Sequence, residues 1–183
     1  MKSLTIYTIG HSTHSLDEFF KMLKSFDIKI LVDVRSFPGS RKFPHFNKEN
    51  LRISAEENGI EYIHILNLGG RRSVKKDSKN TRWHNDSFKG YADYMETEEF
   101  EKAVVQLEQI AIEEPTAYMC SEAVWWRCHR SMISDYLKVK GWTVLHIMGI
   151  DKVQEHPYTQ PARIEDGQLV YTEESDHQQD LFA

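Results

Sequence analysis

The sequence predicts an α/β fold: a single three-layer domain with a mainly parallel central sheet of about five strands flanked by helices. Short apolar runs typical of buried strands alternate with amphipathic helical patterns along the chain. The run at residues 29–34 is almost wholly apolar, as in strands that are covered on both faces. Strands separated by helices form right-handed βαβ units, which assemble into parallel sheets.

The first half of the chain contains three of these strands. Residues 4–9 form the first strand, and Ser15 then caps a helix whose apolar residues share one face. After the second strand, a helix at 48–57 ends at an Asn-Gly pair, and a third strand follows at 61–65. Residues 66–89 are predicted to be a long irregular stretch, which in compact domains is often functional or mobile.

The second half repeats the alternation. Thr97 caps a helix that stops near Pro115, and a fourth strand begins immediately at 116–119. A helix at 130–140 is closed by a glycine and leads to a fifth strand at 143–147. Strands and helices in this order predict a sheet whose strands all end on the same side.

We divide the chain into an α/β domain at 1–150 and a polar, acidic extension at 151–183, with one short strand at 168–171. The length of 183 residues and the 40% hydrophobic content fit one domain with a real core. No apolar run approaches the ~20 residues of a membrane span, and the first residues lack a secretory signal. We therefore expect a cytoplasmic protein with no membrane partner, whose two cysteines are reactive or buried thiols rather than a disulfide.

The net charge of −5 is unevenly distributed. Residues 165–183 contain six acids and no base, so the rest of the chain carries 22 acids against 23 bases. Seven bases lie close together, against two acids, at Arg71, Arg72, Lys75, Lys76, Lys79, Arg82 and Lys89. A basic loop that also holds Trp83, His84 and Phe88 could bind phosphates and stack on bases. The alternative is a solvated loop, which is the usual meaning of a run of charges.

Chemically active side chains follow four of the predicted strands. In parallel α/β folds, ligands bind outside the carboxyl ends of the strands. The residues at these ends are His11 and Ser12, Asp33 and Arg35, Cys120 and Glu122, and His146. We therefore predict one site, in which Arg35, Cys120, Glu122 and Arg130 share a pocket.

Both cysteines fall between residues 120 and 128, directly before a predicted helix. A helix start favours anions and makes a nearby thiol easier to ionise. Cys120 or Cys128 could be a nucleophile, with His11 or His129 as its base. His11 is the better partner, because adjacent residues on a helix, such as Cys128 and His129, point in different directions.

The charged residues of the site have two interpretations. Arg35 and Arg130 suit a phosphate or carboxylate ligand, since arginine binds either in bidentate fashion. Asp33 and Glu122 suit general acid–base work or the orientation of those arginines. The alternative is that these pairs are structural ion pairs that brace the loop.

The sequence favours a site without a metal or cofactor. Cys120, Glu122, Cys128 and a histidine could supply ligands for zinc, but there is no Cys-x2-Cys pair. The spacing from Cys120 to Arg127 differs from the phosphate-binding loop of cysteine phosphatases. No glycine-rich nucleotide-binding motif is present.

Four segments in order resemble the prokaryotic family described as domain of unknown function 488. They are Thr8–Ser12, Asp33–Arg35 with Pro38 and Ser40, Leu68–Gly70, and the block Cys120-x-Glu122 … Cys128-His129-Arg130. The resemblance implies an α/β sandwich and a site at these residues, and it implies no particular reaction. We include Ser12, Ser40 and His129 among the predicted substrate-binding residues. The paired Trp125-Trp126 departs from the family pattern.

The last six residues resemble the short peptides by which bacterial replication and repair proteins dock on the DNA sliding clamp. Gln178 is followed by an acid and by Leu181 and Phe182, at the end of a polar tail that will not fold alone. Two adjacent apolar anchors on such a tether suit a pocket on a partner. The alternatives are a chance match and a tail that folds back onto the protein.

Three functions remain open from the sequence. The first is an enzyme that acts on a nucleic acid, nucleotide or other phosphate-bearing substrate and is recruited to the clamp, in DNA repair or replication. The second is a non-catalytic anion- or nucleic-acid-binding module. The third is a small-molecule hydrolase or transferase whose terminal motif is accidental.

Overall fold

The computed structural model describes residues 4–174. Its main sheet contains six strands, β1 (Thr5–Gly10), β2 (Ile30–Asp33), β3 (Glu61–His64), β4 (Thr116–Cys120), β5 (Thr143–Gly149) and β6 (Lys152–Glu155). Five helices accompany them, α1 (Leu16–Lys24), α2 (Lys48–Glu57), α3 (Asp86–Met95), α4 (Glu98–Glu113) and α5 (Arg130–Val139). A separate hairpin joins β7 (Arg163–Glu165) to β8 (Gln168–Val170).

The strand order of the main sheet is β3-β2-β4-β1-β5-β6. The first five strands run parallel, and only β6 is antiparallel to its neighbour β5. The predicted α/β fold with a mainly parallel sheet is therefore confirmed. In the register of the sheet, Gly10 lies opposite Cys120, and Asp33 lies opposite both Met119 and His64. Parallel pairing thus brings the predicted site residues to one edge, although they are far apart in sequence.

The core has two parts, one on each face of the sheet. On one face, helices α1 and α2 bury side chains such as Phe19 and Leu51 against Leu31 and Met119. On the other face, α3, α4 and α5 bury side chains such as Phe100 against the sheet. Because both faces are covered, β2 and β4 are buried at every position. This rigid sheet provides the frame for the loops at its carboxyl end.

Two regions contain more regular structure than the sequence predicted. The stretch 66–89 contains a 3₁₀ turn at Leu66–Leu68 and the start of α3, which the sequence analysis missed. Asn85 caps α3 by accepting hydrogen bonds from the N–H groups of Ser87 and Phe88. The helix was not predicted because it follows directly on the charged loop and contains Gly90 and Asp93, which have low helix propensity.

The extension after residue 150 also packs on the domain. Strand β6 pairs with β5, and the β7–β8 hairpin follows. The predicted short strand at 168–171 is observed as β8. Within residues 4–174, no helix has both the length and the apolar character that a membrane crossing needs.

Candidate functional site

The loops after β1 and β4 are hydrogen-bonded to each other beyond the ends of the strands. The His11 N–H donates to the Cys120 carbonyl at 3.0 Å, and the Ser12 N–H donates to the Ser121 carbonyl at 2.9 Å. Ser12 adopts φ 43°, the left-handed region that non-glycine residues rarely occupy. Gly10 permits this approach, because a Cβ there would collide with the Glu122 carbonyl group. The two loops are therefore held as one unit.

An open cavity of about 700 Å³ lies at this edge of the sheet. Eight of the residues predicted for the site line it, namely His11, Ser12, Arg35, Ser40, Cys120, Glu122, Cys128 and His129. Asp33 and Arg130 do not line it, and both are buried behind it. The rule that ligands bind at the carboxyl ends of parallel strands (the strand-end rule) thus predicted that these residues lie close together. The structure shows which of them line the cavity and which lie behind it.

The two cysteines and His129 form the most closely packed reactive group of the cavity. The Sγ atoms of Cys120 and Cys128 are in direct contact and are paired as a disulfide, whereas the sequence predicted free thiols. The fold pairs them because the 3₁₀ turn at Trp125–Arg127 returns the chain to the end of β4. Both side chains are almost completely buried.

His129, and not His11, is the imidazole nearest to the sulfurs. Its Nδ1 lies 3.5 Å from the Cys128 Sγ. The prediction that these adjacent residues point apart was wrong, because Cys128 precedes α5 and has an extended backbone, with φ −134° and ψ 149°. The Nε2–H of His129 donates to the Val34 carbonyl at 3.0 Å, and burial lowers the pKa of His129 to about 4. The ring is therefore neutral near pH 7.

His11 is held in a different role. Its Nδ1–H donates to the Ser12 carbonyl at 3.0 Å, and its ring stacks on Phe46 with centroids 4.2 Å apart. Its Nε2 accepts a hydrogen bond from the Arg35 Nη1 at 3.3 Å. Burial is the main cause that lowers the pKa of His11 to about 4. With its lone pair occupied by Arg35, His11 is better suited to orienting that arginine than to removing a proton from Cys120.

Arg35 is fixed by a buried ion pair. Its Nε and Nη2 donate to the two carboxylate oxygens of Asp33 at 2.9 and 2.7 Å, and Nη2 also donates to the Phe46 carbonyl. Asp33 accepts a further hydrogen bond from the Tyr62 hydroxyl at 2.5 Å. Both Asp33 oxygens therefore accept hydrogen bonds, in an arrangement that orients Arg35. Of the two roles expected for Asp33, acid–base work and orientation of an arginine, this geometry favours the second.

Arg130 also acts from behind the cavity. The residue is 1% exposed, and its guanidinium donates to the Glu122 carbonyl at 2.7 Å and to the Thr8 hydroxyl at 3.0 Å. Its Nε has no hydrogen-bond partner among residues 4–174. Arg130 thus braces the loop from β4 and does not line the cavity, where a substrate-binding residue was expected. The Glu122 side chain, by contrast, is exposed and forms no ion pair or hydrogen bond with another described residue.

A buried chain of hydrogen bonds continues from Arg130 into the protein. The Thr8 hydroxyl contacts His146 Nδ1 at 2.7 Å, and His146 Nε2 contacts His156 Nδ1 at 2.9 Å. His156 Nε2 then donates to Asp135 at 2.9 Å. The sequence placed His146 at the end of its strand, but β5 continues to Gly149, so His146 lies inside the strand. It belongs to this buried network and does not line the cavity.

Several residues at the rim were not among those predicted for the site. Lys42, Arg71 and Arg127 line the cavity, and so do aromatic side chains, Phe37, Phe43 and Phe88. The Arg71 guanidinium lies over the Phe37 ring, 5.1 Å from its centroid. Arg71 was recognised only as part of the basic loop. Its position next to the Gly69-Gly70 pair was the signal that could have assigned it to the site.

The Gly69-Gly70 pair allows the loop after β3 to lie against the site. A Cβ on Gly70 would lie 2.5 Å from the His129 Nδ1, and one on Gly69 would collide with Ser36. Two other arginines of the basic loop contact the protein itself. Arg72 lies over the Tyr94 ring, and Arg82 donates to the Pro161 and Gln160 carbonyls. These two arginines hold the loop on the protein.

The residues predicted to bind a sliding clamp, Gln178, Leu181 and Phe182, lie outside the described residues. The comparisons with known proteins bear on the remainder of the chain. No curated protein and no solved structure matches the sequence. The family model described as Domain of unknown function DUF488 matches residues 15–137, more than half of the chain. The chain therefore belongs to the family described as domain of unknown function DUF488.

Proposed function

We propose that the protein is an enzyme that acts on a phosphate-bearing substrate, a nucleotide or a nucleic acid, in the cavity at the carboxyl ends of its parallel strands. One observation carries the proposal. Among the described residues, four cationic side chains and a single carboxylate line a cavity that also contains a sulfur–imidazole group. The cations are Arg35, Lys42, Arg71 and Arg127.

The excess of positive charge favours an anionic ligand. Arginine presents a planar fork of donors that matches phosphate oxygens, which Arg71 and Arg127 can offer at the rim. Arg35 uses its Nε and Nη2 for Asp33 and Phe46, and its remaining Nη1 donor is held in place before any ligand arrives. Fixed donors cost less conformational entropy on binding than mobile ones. Among the described residues that line the cavity, Glu122 is the single carboxylate, and its negative charge disfavours an anionic ligand. Such a charge suits a residue that reacts with the substrate rather than one that binds it.

Exposed aromatic rings favour a ligand that also carries a base. Phe37 is 69% exposed although it is large and apolar, and it lies beside Arg71 at the rim. Phe88 stacks on Trp83, with centroids 4.8 Å apart, and also faces the cavity. Nucleic-acid-binding surfaces combine such rings with cations, because each base can stack on an aromatic face.

Two groups in the cavity are suited to chemistry. The exposed carboxylate of Glu122 is free to act as a general acid or base. Cys128 is a better nucleophile than Cys120 when it is a free thiol, because its Sγ also accepts the Arg130 N–H at the start of α5, 3.4 Å away. Such an N–H group stabilises a thiolate.

The first experiment is a turnover assay of the full-length protein against nucleotides and short nucleic acids, under reducing conditions. Glu122→Gln and Cys128→Ser should each reduce turnover by about 100-fold or more, within the range for a lost acid, base or nucleophile. Glu98→Gln is the matched control, because Glu98 is an exposed glutamate on α4 whose ion-pair partner within residues 4–174 is Lys102. It should leave turnover unchanged.

The same assay separates the competing functions. Binding of these ligands without turnover would support a non-catalytic binding module. Turnover confined to small molecules without phosphate would support the hydrolase or transferase alternative. Turnover that is equal in Glu122→Gln and the control would contradict the assigned site.

We also propose that the C-terminal peptide docks on the DNA sliding clamp, which would connect the enzyme to DNA replication or repair. The support is the sequence alone: Gln178, Leu181 and Phe182 in the order that clamp-binding peptides have. Calorimetry with the clamp should show weak binding by the full-length protein, typical of small transient interfaces. Removal of residues 178–183 should abolish it, and unchanged binding after truncation would refute the proposal.

A further inference from the structure

We propose that Cys120, Cys128 and His129 form a binding site for zinc when the two cysteines are reduced. The two sulfurs and one ring nitrogen of His129 lie within 4.8 Å of one another. Zinc is bound by sulfur and imidazole ligands in tetrahedral arrangements, and three protein ligands with an open fourth position are typical of its reactive sites. This proposal does not depend on the substrate proposed above, and in the zinc-bound form Cys128 is a metal ligand and not the nucleophile.

His129 has the tautomer that a metal ligand needs. Its Nε2–H donates to the Val34 carbonyl at 3.0 Å, so the proton is on that nitrogen and the lone pair of Nδ1 is free. Nδ1 is also the atom that faces the Cys128 sulfur, 3.5 Å away. Histidines that bind metals commonly donate their other ring N–H to a carbonyl or carboxylate in this way.

The orientation of the imidazole is fixed by its neighbours. The Tyr91 ring packs against it with centroids 5.1 Å apart, and Gly70 lies so close that a Cβ would collide with the ring. Tyr91 is itself held by a hydrogen bond from its hydroxyl to the Leu68 carbonyl at 2.8 Å. A rigid ring reduces the entropy lost when a metal binds.

The positions of the cysteines suit two ligands of one ion. Their Cα atoms are 7.6 Å apart, beyond the 4.4–6.8 Å that disulfides usually span. A metal ion between the sulfurs would use this wider separation. The Arg130 N–H, which lies 3.4 Å from the Cys128 Sγ, would support the negative charge of a coordinated thiolate.

Binding of Zn²⁺ by the reduced cysteines requires no further reactant. Two thiols lose their protons, and Zn²⁺ gains two thiolates and one neutral imidazole. The cavity leaves the fourth position open to water or substrate, and Glu122 lines the same cavity. The sequence favoured a metal-free site because the cysteines are not spaced as Cys-x2-Cys. In the fold, the 3₁₀ turn at Trp125–Arg127 brings the two cysteines together instead, and His129 supplies the third ligand.

The test measures zinc uptake by the full-length protein after reduction and removal of the reductant. Thiol titration first establishes that both cysteines are free. We expect one equivalent of zinc to be retained after dialysis. Binding should weaken about 100-fold or more in Cys128→Ser and His129→Ala, since loss of a supporting residue alone costs 10–100-fold. His84→Ala is the matched control, because His84 is exposed and does not line the cavity.

A second measurement does not depend on the variants and remains informative if one fails to fold. Co²⁺ added to the reduced wild-type protein should give the thiolate charge-transfer and visible bands of a tetrahedral sulfur site. Absence of those bands, together with no retained zinc, would overturn the proposal. Zinc retained equally by wild type, His129→Ala and Cys128→Ser would also overturn it, by showing that the metal binds elsewhere.

Discussion

At the scale of single residues, the close packing of the site depends on a glycine that leaves room for a neighbouring side chain. Gly70 has no side chain, and the His129 ring occupies the space that a Cβ would need. Gly39 lies in another loop of the same cavity, and a Cβ there would meet nothing within 4 Å. The two glycines therefore form a natural pair for testing how closely the loops approach.

We predict that Gly70→Ala lowers the free energy of unfolding by about 1–3 kcal/mol, the usual cost of an added group in a packed region. Gly39→Ala should change it by less than about 0.5 kcal/mol. Urea denaturation of both variants checks this. Equal stability of the two would show that the His129 ring does not pack on Gly70 as described.

The low pKa of His11 makes the stability of the protein depend on pH. The ring faces Arg35 and His45, which oppose its protonation, and Asp33, which favours it, but burial has the largest effect and lowers the pKa to about 4. The unfolded chain therefore binds a proton below about pH 6.5 that the folded protein resists. The contribution of neutral His11 is present above pH 6.5 and is lost as the pH falls towards 4.

We expect the free energy of unfolding to decrease between pH 6.5 and pH 4, with roughly 3 kcal/mol of this due to His11. In His11→Gln the decrease should be smaller by that amount. Exposed His84→Gln serves as the control and should follow the wild type. Denaturation at a series of pH values measures the slopes, and identical slopes in His11→Gln and wild type would contradict the assignment.

At the scale of elements, Asp135 of α5 joins the helix to the segment after β6. Its carboxylate accepts hydrogen bonds from His156 and from the N–H and hydroxyl of Thr159, and also from the Tyr171 hydroxyl at 2.8 Å. All of these donors lie in the polar extension that begins at residue 151. The residues of α5 that precede Asp135 include Arg130, which braces the Glu122 loop.

We predict that Asp135→Ala lowers the free energy of unfolding by about 3–5 kcal/mol, as expected when one partner of a buried charged network is removed. Asp17→Ala is the control, because Asp17 is an exposed residue of α1 paired only with Lys21. It should have little effect. Urea denaturation measures both, and a mild effect of Asp135→Ala would show that the extension is not held through this carboxylate.

The elements also show which features the sequence could predict. Apolar runs and caps located five strands and four helices, because burial on both faces of a sheet leaves a strong local pattern. Helix α3 was missed because Gly90 and Asp93 have low helix propensity and the helix follows directly on a charged loop. Strand β6 is exposed at every position, so it has no apolar pattern to recognise. Tertiary pairing with β5 defines it instead.

The site also has features that the sequence could predict and features that it could not. The strand-end rule brought His11, Arg35, Cys120 and Glu122 together without knowledge of any contact. It could not separate cavity-facing residues from supporting ones, so Arg130 was placed in the pocket although it lies buried behind it. His129 lies near the sulfurs because Cys128 has an extended backbone conformation. Residue spacing in the sequence does not reveal that conformation.

At the scale of the whole molecule, a rigid parallel sheet presents one cavity whose rim is cationic. Helices cover both faces of the sheet, and the loops after β1, β2, β3 and β4 form the walls of the cavity. The sequence located this edge but not the rim, because Lys42 and Arg71 follow irregular segments. If the rim recognises phosphate, removing its cations should affect binding before it affects the fold.

The central claim is that this cavity binds a phosphate-bearing ligand. The direct test is calorimetry with a panel of nucleotides and short single-stranded nucleic acids, using wild type, Lys42→Ala/Arg71→Ala and the control Lys21→Ala/Lys102→Ala. Both double variants remove two positive charges, but the ion pairs of Lys21 and Lys102 with the described residues are to acids on their own helices. We predict that at least one ligand binds the wild type and the control equally and the rim variant about 10-fold or more weakly. No binding by the wild type, or equal loss in both variants, would contradict the claim.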